Sequence, residues 1–545
     1  VGMIGGLGGF VLPISFGALL DLTGIYTSCF ALLFVIVAIS LAWMHLSIRA
    51  MEQATHGPAL GRLPQLPEMQ DIHDPERVAQ TRVLQEWKPE DKIFWESKGR
   101  AIARRNLWIS IPALLLAFSV WMVWSVVVAR LPAIGFDFTQ GQLFWLAALP
   151  GLSGATLRIF YSFMVPIFGG RLWTTISTAS LLLPALGIGY AVQSPQTPYL
   201  IFLVLALLCG FGGGNFASSM ANIAFFYPKA EKGNALALNA GLGNLGVSVM
   251  QFAVPLVITA GVFGAMGGQP QALSDGGQLW MQNAGFIWVP FIIAATIAAW
   301  LGMNDIADAK ASFKEQAIIF SRKHNWIMCV LYTGTFGSFI GYSAGFPLLT
   351  KLQFPEVNAL QFVFLGPLVG ALSRAATGWI SDRFGGGRVT FWTFLGMIAA
   401  VFGVIFFLGI KEQPGAFWGF FSCFMALFFL TGVGNASTFQ MIPVIMAREV
   451  PRLMKELKGD ELQKQAGRES AAIIAFTSAI AAYGAFFIPK AYGTSIAMTG
   501  GPVAALWGFL AFYLICAVLT WAFYTRPGGL LFEVERNVAA TPVTA

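Results

Sequence analysis

The segment that decides the fold is one that the chain carries twice. The first copy, at 152–171, reads Leu-Ser-Gly-Ala-Thr-Leu-Arg-Ile-Phe-Tyr-Ser-Phe-Met-Val-Pro-Ile-Phe-Gly-Gly-Arg. The second copy contains Val-Gly-Ala-Leu-Ser-Arg and aligns Arg374 with Arg158, at an offset of 216 residues. The same offset aligns two Phe-Gly-Gly runs, which begin at Phe168 and Phe384. An apolar segment repeated in this way predicts two equivalent halves of a membrane protein.

The composition of the chain agrees with a membrane protein. Of its 545 residues, 56% are hydrophobic, only 11% are charged and 49 are Phe. So few charges exclude a soluble globular enzyme and a disordered chain, and long continuous apolar runs exclude a porin-type barrel. The 5 Cys have neither pairing nor ligand spacing, so we expect no disulfide scaffold and no metal site. The sequence therefore predicts an all-α membrane protein that is not an enzyme.

The apolar runs predict 14 transmembrane helices. Their ranges are 3–20, 25–46, 107–129, 143–168, 173–193, 199–226, 235–263, 286–303, 326–349, 359–380, 389–410, 415–447, 470–489 and 503–525. A polar, proline-rich linker separates the first two helices from the other twelve. The predicted regions are a helix pair at 1–46, a charged cytoplasmic linker at 47–106, a six-helix bundle at 107–303, a cytoplasmic loop at 304–325, a second six-helix bundle at 326–525 and a cytoplasmic tail at 526–545.

The positive charges of the last twelve helices lie mostly in alternate loops. The loops on the poorer side hold only Arg130, Lys351, Lys411 and Lys490. This asymmetry predicts that both ends of the twelve-helix module are cytoplasmic. The net charge of +7 follows the membrane topology rather than one soluble face. We therefore expect a lipid bilayer as partner and no nucleic acid.

A second repeat concerns the first two helices. The motif Gly-x-Phe-x-x-Pro-x-x-x-Gly begins at Gly8 and again at Gly484, at an offset of 476 residues. We expect residues 1–46 to be the last helix pair of an upstream copy of the module, fused in tandem in the same polypeptide. The alternative is two accessory helices on a fourteen-helix protein. In both cases we expect a single twelve-helix unit to be functional.

Arg158 and Arg374 are the two ionisable residues that the sequence places well inside apolar runs of these twelve helices. A guanidinium at the bilayer centre costs at least about 2.5–3.5 kcal/mol. Two of them at equivalent repeat positions, with no acid at similar depth, predict a bound anion between them. The planar donor fork of arginine suits a planar oxyanion. The alternative is that each arginine snorkels or bonds to helix carbonyls.

Several motifs together resemble the NarK-type nitrate/nitrite porters. They are the run 154–171, the run Gly-Gly-Gly-Asn-Phe-Ala-Ser-Ser-Met-Ala-Asn at 212–222, the glycine-rich run 239–246 and the segment 481–489. The resemblance implies a major-facilitator fold and a site that binds nitrate and nitrite. It implies that the two arginines bind the anion, that Tyr332 and Asn244 contact it, and that aromatic side chains form the walls. These aromatic residues are Phe118, Phe216, Phe336 and Phe439.

The resemblance also extends to backbone and loop features. Four glycines are expected where helices pack closely or slide: Gly241, Gly243, Gly246 and Gly484. The loop 381–388 resembles the cytoplasmic gating motif of major-facilitator proteins and contains Asp382, Arg383 and Arg388. The corresponding loop of the first half ends in Gly-Gly-Arg171 without an acid, which argues against an aspartate-based latch on that side.

These features predict a nitrate/nitrite antiporter that works by alternating access, located in the bacterial cytoplasmic (inner) membrane and without a cofactor. No Asp, Glu or His accompanies the arginines at similar depth, so exchange is preferred over proton-coupled nitrate symport, which stays the alternative. A non-transporting anion receptor on the same fold is a lower alternative. A haem-carrying redox subunit is disfavoured because the 4 His lie at a span end or in polar segments.

Overall fold

The structure is a computed structural model that describes residues 82–273, 277–307 and 317–532. In these ranges, 12 helices are long and apolar enough to cross a membrane. We label them α1 (Lys92–Val127), α2 (Gln140–Tyr161), α3 (Gly170–Ala191), α4 (Tyr199–Phe226), α5 (Glu231–Val257), α6 (Asn283–Gly302), α7 (Lys323–Gln353), α8 (Ala359–Ala376), α9 (Gly386–Gly409), α10 (Ala416–Leu453), α11 (Glu461–Thr499) and α12 (Val503–Thr525). The predicted helix pair at 1–46 lies outside the described residues, so it stays a prediction.

The strands are short and lie in the connections. β1 (Val83–Leu84) pairs in parallel with β4 (Asp305–Ile306). Between α5 and α6, β2 (Gln271–Ala272) pairs antiparallel with β3 (Gln278–Leu279). The first of these pairs fixes the residues just before α1 to the residues just after α6.

The first membrane helix begins before its apolar run. Its polar first turns, from Lys92, are fixed by the first residue of α5: Trp95 donates its indole N–H to Glu231 at 2.9 Å, and Arg100 pairs with the same carboxylate at 2.8 Å. Trp87 adds a hydrogen bond of 3.1 Å to the carbonyl of Phe225. The end of the linker therefore packs on the first bundle.

The helices show large apolar side chains on their outer surface, as expected for contact with lipid. Trp392, Leu301 and Phe406 are more than half exposed. Large apolar side chains exposed in this way are unfavourable in contact with water. The interior is filled instead by aromatic residues, glycines and small polar side chains. Residues that face lipid and residues that face protein are equally apolar, so close contact of small residues holds the helices together.

The helices α2 and α5 of the first six-helix bundle (α1–α6) contact the second six-helix bundle (α7–α12). The helix α2 packs against α11, where a Cβ atom at Gly151 would overlap the backbone of Ala485. The helix α5 packs against α8 and α7: Ser248 donates to the carbonyl of Phe364 at 3.0 Å, and Gln251 donates to that of Ser343 at 2.8 Å. These contacts close the bundles against each other at the end remote from the basic loops.

Two helices that contact the other bundle change geometry near their middle. In α7, a π-helical turn (Thr333–Gly337) follows directly after Tyr332. In α11, the regular helix ends at Ala482 and a new one begins at Gly484. Such π-bulges and breaks release backbone hydrogen bonds and are common at functional sites. Both lie at the level of the predicted anion site.

Candidate anion site

Arg158 is buried and is held by both bundles. Its side chain is 1% exposed. Nε donates to the carbonyl of Gly213 on α4 at 2.8 Å, and Nη1 donates to the carbonyl of Ser478 on α11 at 3.1 Å. Its remaining nitrogen, Nη2, is buried and has no hydrogen-bond partner. Arg158 therefore keeps the Nη2 nitrogen free as a donor at the interface of the bundles.

Three aromatic rings surround the Arg158 guanidinium. Its central carbon lies 4.7 Å from the ring centroid of Phe216, 5.0 Å from that of Trp121 and 5.3 Å from that of Phe336. Ring faces stabilise a cation by their quadrupole, and more strongly where water is excluded. They fix the orientation of the guanidinium but bring no negative charge.

Arg374 reaches the same place from the second bundle. It is half-buried on α8, its Nη1 is buried without a partner, and its guanidinium lies 5.7 Å from the ring centroid of Phe439. It lies close enough to the Tyr332 hydroxyl and to Arg158 to interact electrostatically with both. The predicted pair of arginines thus comes together, with Tyr332 beside them.

The predicted aromatic residues form one continuous wall. Ring centroids are 6.0 Å apart for Phe118 and Phe216, and 6.4 Å for Phe216 and Phe336. They are 5.5 Å apart for Phe336 and Tyr332, and 6.4 Å for Tyr332 and Phe439. Phe216 and Phe336, from different bundles, are stacked. The wall therefore crosses the interface between the bundles at the level of the arginines.

Asn244 is 1% exposed, and neither its amide nitrogen nor its amide oxygen has a hydrogen-bond partner. A buried amide without partners is costly, about 1–3 kcal/mol. Asn244 lies on α5, two residues before Gly246, which packs against α1 beside Phe118. The amide is therefore available to a further polar group.

In the described part of the chain, the ion pairs involve neither Arg158 nor Arg374. Two cations in a low-dielectric interior without a carboxylate are strongly unfavourable. The carbonyls and rings around Arg158 lower this cost only in part. The arrangement is therefore chemically suited to accept a small anion.

Comparison with known proteins assigns the family. The sequence profile of the Major Facilitator Superfamily matches residues 1–251 and 113–459. Nitrate/nitrite transporter NarU of Salmonella typhimurium is 54% identical over 82% of this chain and 96% of the relative; its namesake in Escherichia coli shows the same values. This chain belongs to the Major Facilitator Superfamily. Within it, the relatives place the chain among the NarK-type porters, which confirms the resemblance drawn from the motifs.

Two further comparisons agree with this family. "Probable nitrate/nitrite antiporter NarK2" of Thermus thermophilus is 40% identical over 82% of this chain and 97% of its own length. Among solved structures, the nucleoside transporter NupG superposes with a TM-score of 0.52 over 77% of this chain and 99% of that chain, at 10% identity. The second likeness concerns the fold alone and confirms the predicted major-facilitator architecture.

The predicted packing glycines of this NarK-type chain differ among themselves. A Cβ atom would meet the side chain of Leu114 at Gly243, the carbonyl of Leu115 at Gly246 and the backbone of Gly337 at Gly484. At Gly241, nothing lies within 4 Å of that position. Close helix contact thus requires a glycine at three of these positions, whereas Gly241 has open space around it in this conformation.

The cytoplasmic gating loop predicted for the family is largely exposed. Asp382 and Arg383 are exposed, and the Arg383 guanidinium lies 5.6 Å from the ring centroid of Phe384. Arg388 is partly buried and has an interaction partner. In this conformation, Asp382 belongs to none of the ion pairs among the described residues.

The first half has an acid at the corresponding place, but from another segment. Asp305, just after α6, accepts a hydrogen bond of 2.8 Å from the backbone N–H of Arg171 and a second of 3.3 Å from its Nε. The chain reaches this place because Gly169 has φ of +84° and lies against the Asp305 carboxylate. An aspartate is therefore present at the first α3 turn, although the loop sequence itself lacks one.

Sequence reasoning missed three members of the site. Trp121 stacks on Arg158 and lies one helical turn after Phe118, so the spacing on α1 was a usable signal. The carbonyls of Gly213 and Ser478 carry no side-chain signal at all. They accept from Arg158 because α4 and α11 approach α2 closely.

Proposed function

We propose that this protein is a nitrate/nitrite transporter of the cytoplasmic membrane and that it works as an antiporter by alternating access. The observation that carries the proposal is a buried guanidinium nitrogen without a partner on each of two arginines, Nη2 of Arg158 and Nη1 of Arg374. Each bundle contributes one of them. The names of the relatives, nitrate/nitrite transporter and antiporter, support the choice of anion.

The surroundings favour a weakly hydrated monovalent anion. Aromatic rings on both sides supply few donors, so an entering anion exchanges its water for two guanidinium nitrogens and the Tyr332 hydroxyl. Sulfate and phosphate carry more charge and lose more hydration free energy in such a site. A planar oxyanion matches the planar fork of each guanidinium.

Exchange follows from the charges. With the site empty, Arg158 and Arg374 repel each other, so bringing the bundles together around them is unfavourable. A bound anion neutralises part of this charge and allows the bundles to rock past the site. A carrier that changes sides only when loaded exchanges one anion for another. With the basic loops in the cytoplasm, the conformation described above is closed toward the outside.

A buried acid that could bind a proton would favour the symport alternative. The buried acid to consider is Glu469 on α11. Glu469 is 1% exposed but forms a two-pronged ion pair with Arg322, with N–O distances of 2.7 and 2.8 Å. Both carboxylate oxygens of Glu469 are thus occupied by Arg322, and this pair gives no support to the symport alternative.

The test is counterflow in proteoliposomes with purified protein. Nitrite-loaded vesicles take up labelled nitrate at equal pH on both sides, and Arg374→Ala lowers the initial rate by about 100-fold, since it removes one charged donor. Arg526→Ala, which removes an exposed arginine at the end of α12, is the matched control and keeps the rate.

Two other outcomes separate the alternatives. Uptake that requires an inward proton gradient overturns antiport in favour of symport. Saturable nitrate binding without flux under any gradient overturns transport itself in favour of a receptor.

A further inference from the structure

Two hydroxyl groups meet across the interface of the bundles, on the same two helices that carry Arg158 and its acceptor Ser478. Thr156 Oγ1 on α2 lies 2.9 Å from the hydroxyl of Tyr483 on α11. Thr156 is two residues before Arg158, and Tyr483 is five residues after Ser478, whose carbonyl accepts from Arg158. Neither hydroxyl belongs to the anion site described above.

The direction of this hydrogen bond follows from counting protons. Thr156 Oγ1 also lies 2.8 Å from the carbonyl of Leu152, one turn earlier in its own helix. A carbonyl only accepts, so the single hydroxyl proton of Thr156 points to Leu152. Thr156 therefore accepts from Tyr483, and the phenolic proton of Tyr483 is used in this contact.

The hydroxyl pair lies at the inner end of a tight helix contact. Along α2 and α11, Phe144 packs against Gly493, and Gly151 packs against Ala485. The next contact along the pair is the one between Thr156 and Tyr483. Tyr483 is also the residue at which α11 is interrupted. Its ring is therefore placed where a change in helix direction is easiest.

We propose that the Thr156–Tyr483 hydrogen bond is a latch, made while the bundles are closed at this level and broken when they separate. Once it breaks, the Tyr483 hydroxyl no longer donates to Thr156 and is available to another acceptor. The freed hydroxyl can then act as an additional donor to an anion that passes between α2 and α11. This second role of Tyr483 rests on the proposed transport of an anion; the latch itself does not.

The latch is tested by a distance measurement that does not depend on transport. Spin labels are placed at Ala133→Cys and Gln413→Cys, in exposed loops at the closed end of the first and second bundle, in a background whose native cysteines are replaced by alanine. Tyr483→Phe and Thr156→Val each increase the ratio of the long-distance to the short-distance population by about fivefold, the size typical of one hydrogen bond.

Three further variants show whether one bond is responsible. The double variant Tyr483→Phe with Thr156→Val shifts the ratio no more than either single variant, because both remove the same bond. Thr156→Ser keeps the acceptor and leaves the ratio unchanged. Tyr190→Phe removes the hydroxyl of a tyrosine that is 69% exposed on the outer surface, and it has no effect. Unchanged distances in both single variants, or fully additive shifts, overturn the latch.

The second role is tested by exchange kinetics. Tyr483→Phe raises the KM for nitrate exchange by about threefold relative to Thr156→Val, since only the first removes a donor from the path. Equal KM values in the two variants overturn the donor role. If neither wild type nor variant exchanges nitrate, the proposed function fails, whereas the distance shifts still support the latch.

Discussion

Two buried arginines of this protein have different surroundings, because one is paired with a carboxylate and the other is not. Arg322, just before α7, meets Glu469 with two short hydrogen bonds of 2.7 and 2.8 Å, and this pairing raises the pKa of Arg322 above its ordinary value. Arg158, at the interface of the bundles, is more deeply buried but has only two backbone carbonyls and three rings around it.

The difference separates a structural cation from a binding cation. A carboxylate cancels the charge of Arg322 within the folded chain, so that site needs nothing from outside. Carbonyl dipoles and ring faces orient Arg158 but leave its charge, and Arg374 adds a second charge nearby. The positive charge of Arg322 is thus balanced by an acid of the same chain, whereas the site of Arg158 and Arg374 is open to an external anion.

The largest expected effect is on the stability of the protein, through the Arg322–Glu469 ion pair. Glu469→Gln leaves Arg322 buried without its counter-charge, and we expect the free energy of unfolding in mixed detergent micelles to fall by about 3–5 kcal/mol. Adding Arg322→Gln removes the stranded charge and recovers part of this loss. Nitrate exchange by the protein that stays folded is unchanged. A loss of exchange without a loss of stability would contradict the structural role of this pair.

At Arg158, in contrast, we expect a substitution to change nitrate/nitrite exchange. Arg158→Lys lowers nitrate/nitrite exchange by about 100-fold, because an ammonium cannot bond to Gly213 and Ser478 and still present a planar donor to the anion. Initial rates of counterflow measure this loss. Arg322→Lys is the matched control, because it keeps a cation beside Glu469 and lies outside the anion path. Equal losses in the two variants would remove the distinction between the two kinds of arginine.

The repeat made much of the open site predictable. Arg158 and Arg374 occupy equivalent positions, and in an apolar helix each charge stands out; the structure brings them together with Tyr332 and the four predicted phenylalanines. The roles of these residues in binding stay proposals. The 12 membrane helices of the described residues were predictable too, since a lipid bilayer requires long apolar runs.

What the sequence could not show depends on contacts between distant segments. Glu469 lies outside the apolar runs predicted as helices, and its burial depends on the partner Arg322, 147 positions away. In the same way, Asp305 fills the place of the acid missing before α3 only because β4 pairs with β1. Backbone acceptors such as Gly213 are invisible in a sequence, because every residue has a carbonyl.

The smallest expected effect comes from a substitution designed to introduce a carboxylate near Arg158 and Arg374. Asn244 is buried and its amide has no partner, so Asn244→Asp places a carboxylate there with almost no change of shape. If the amide faces the anion site, the new charge compensates the arginines and competes with nitrate, and we expect nitrate affinity to fall by about tenfold in isothermal titration calorimetry.

The matched control for this last variant is Asn325→Asp. Asn325 is as deeply buried as Asn244, and both of its amide atoms also lack partners, but it lies near the start of α7, two turns before Tyr332. Its substitution leaves nitrate affinity unchanged. Should Asn244→Asp also leave the affinity unchanged, Asn244 does not face the anion. Should both variants lower it equally, the effect comes from loss of packing and not from competition with nitrate.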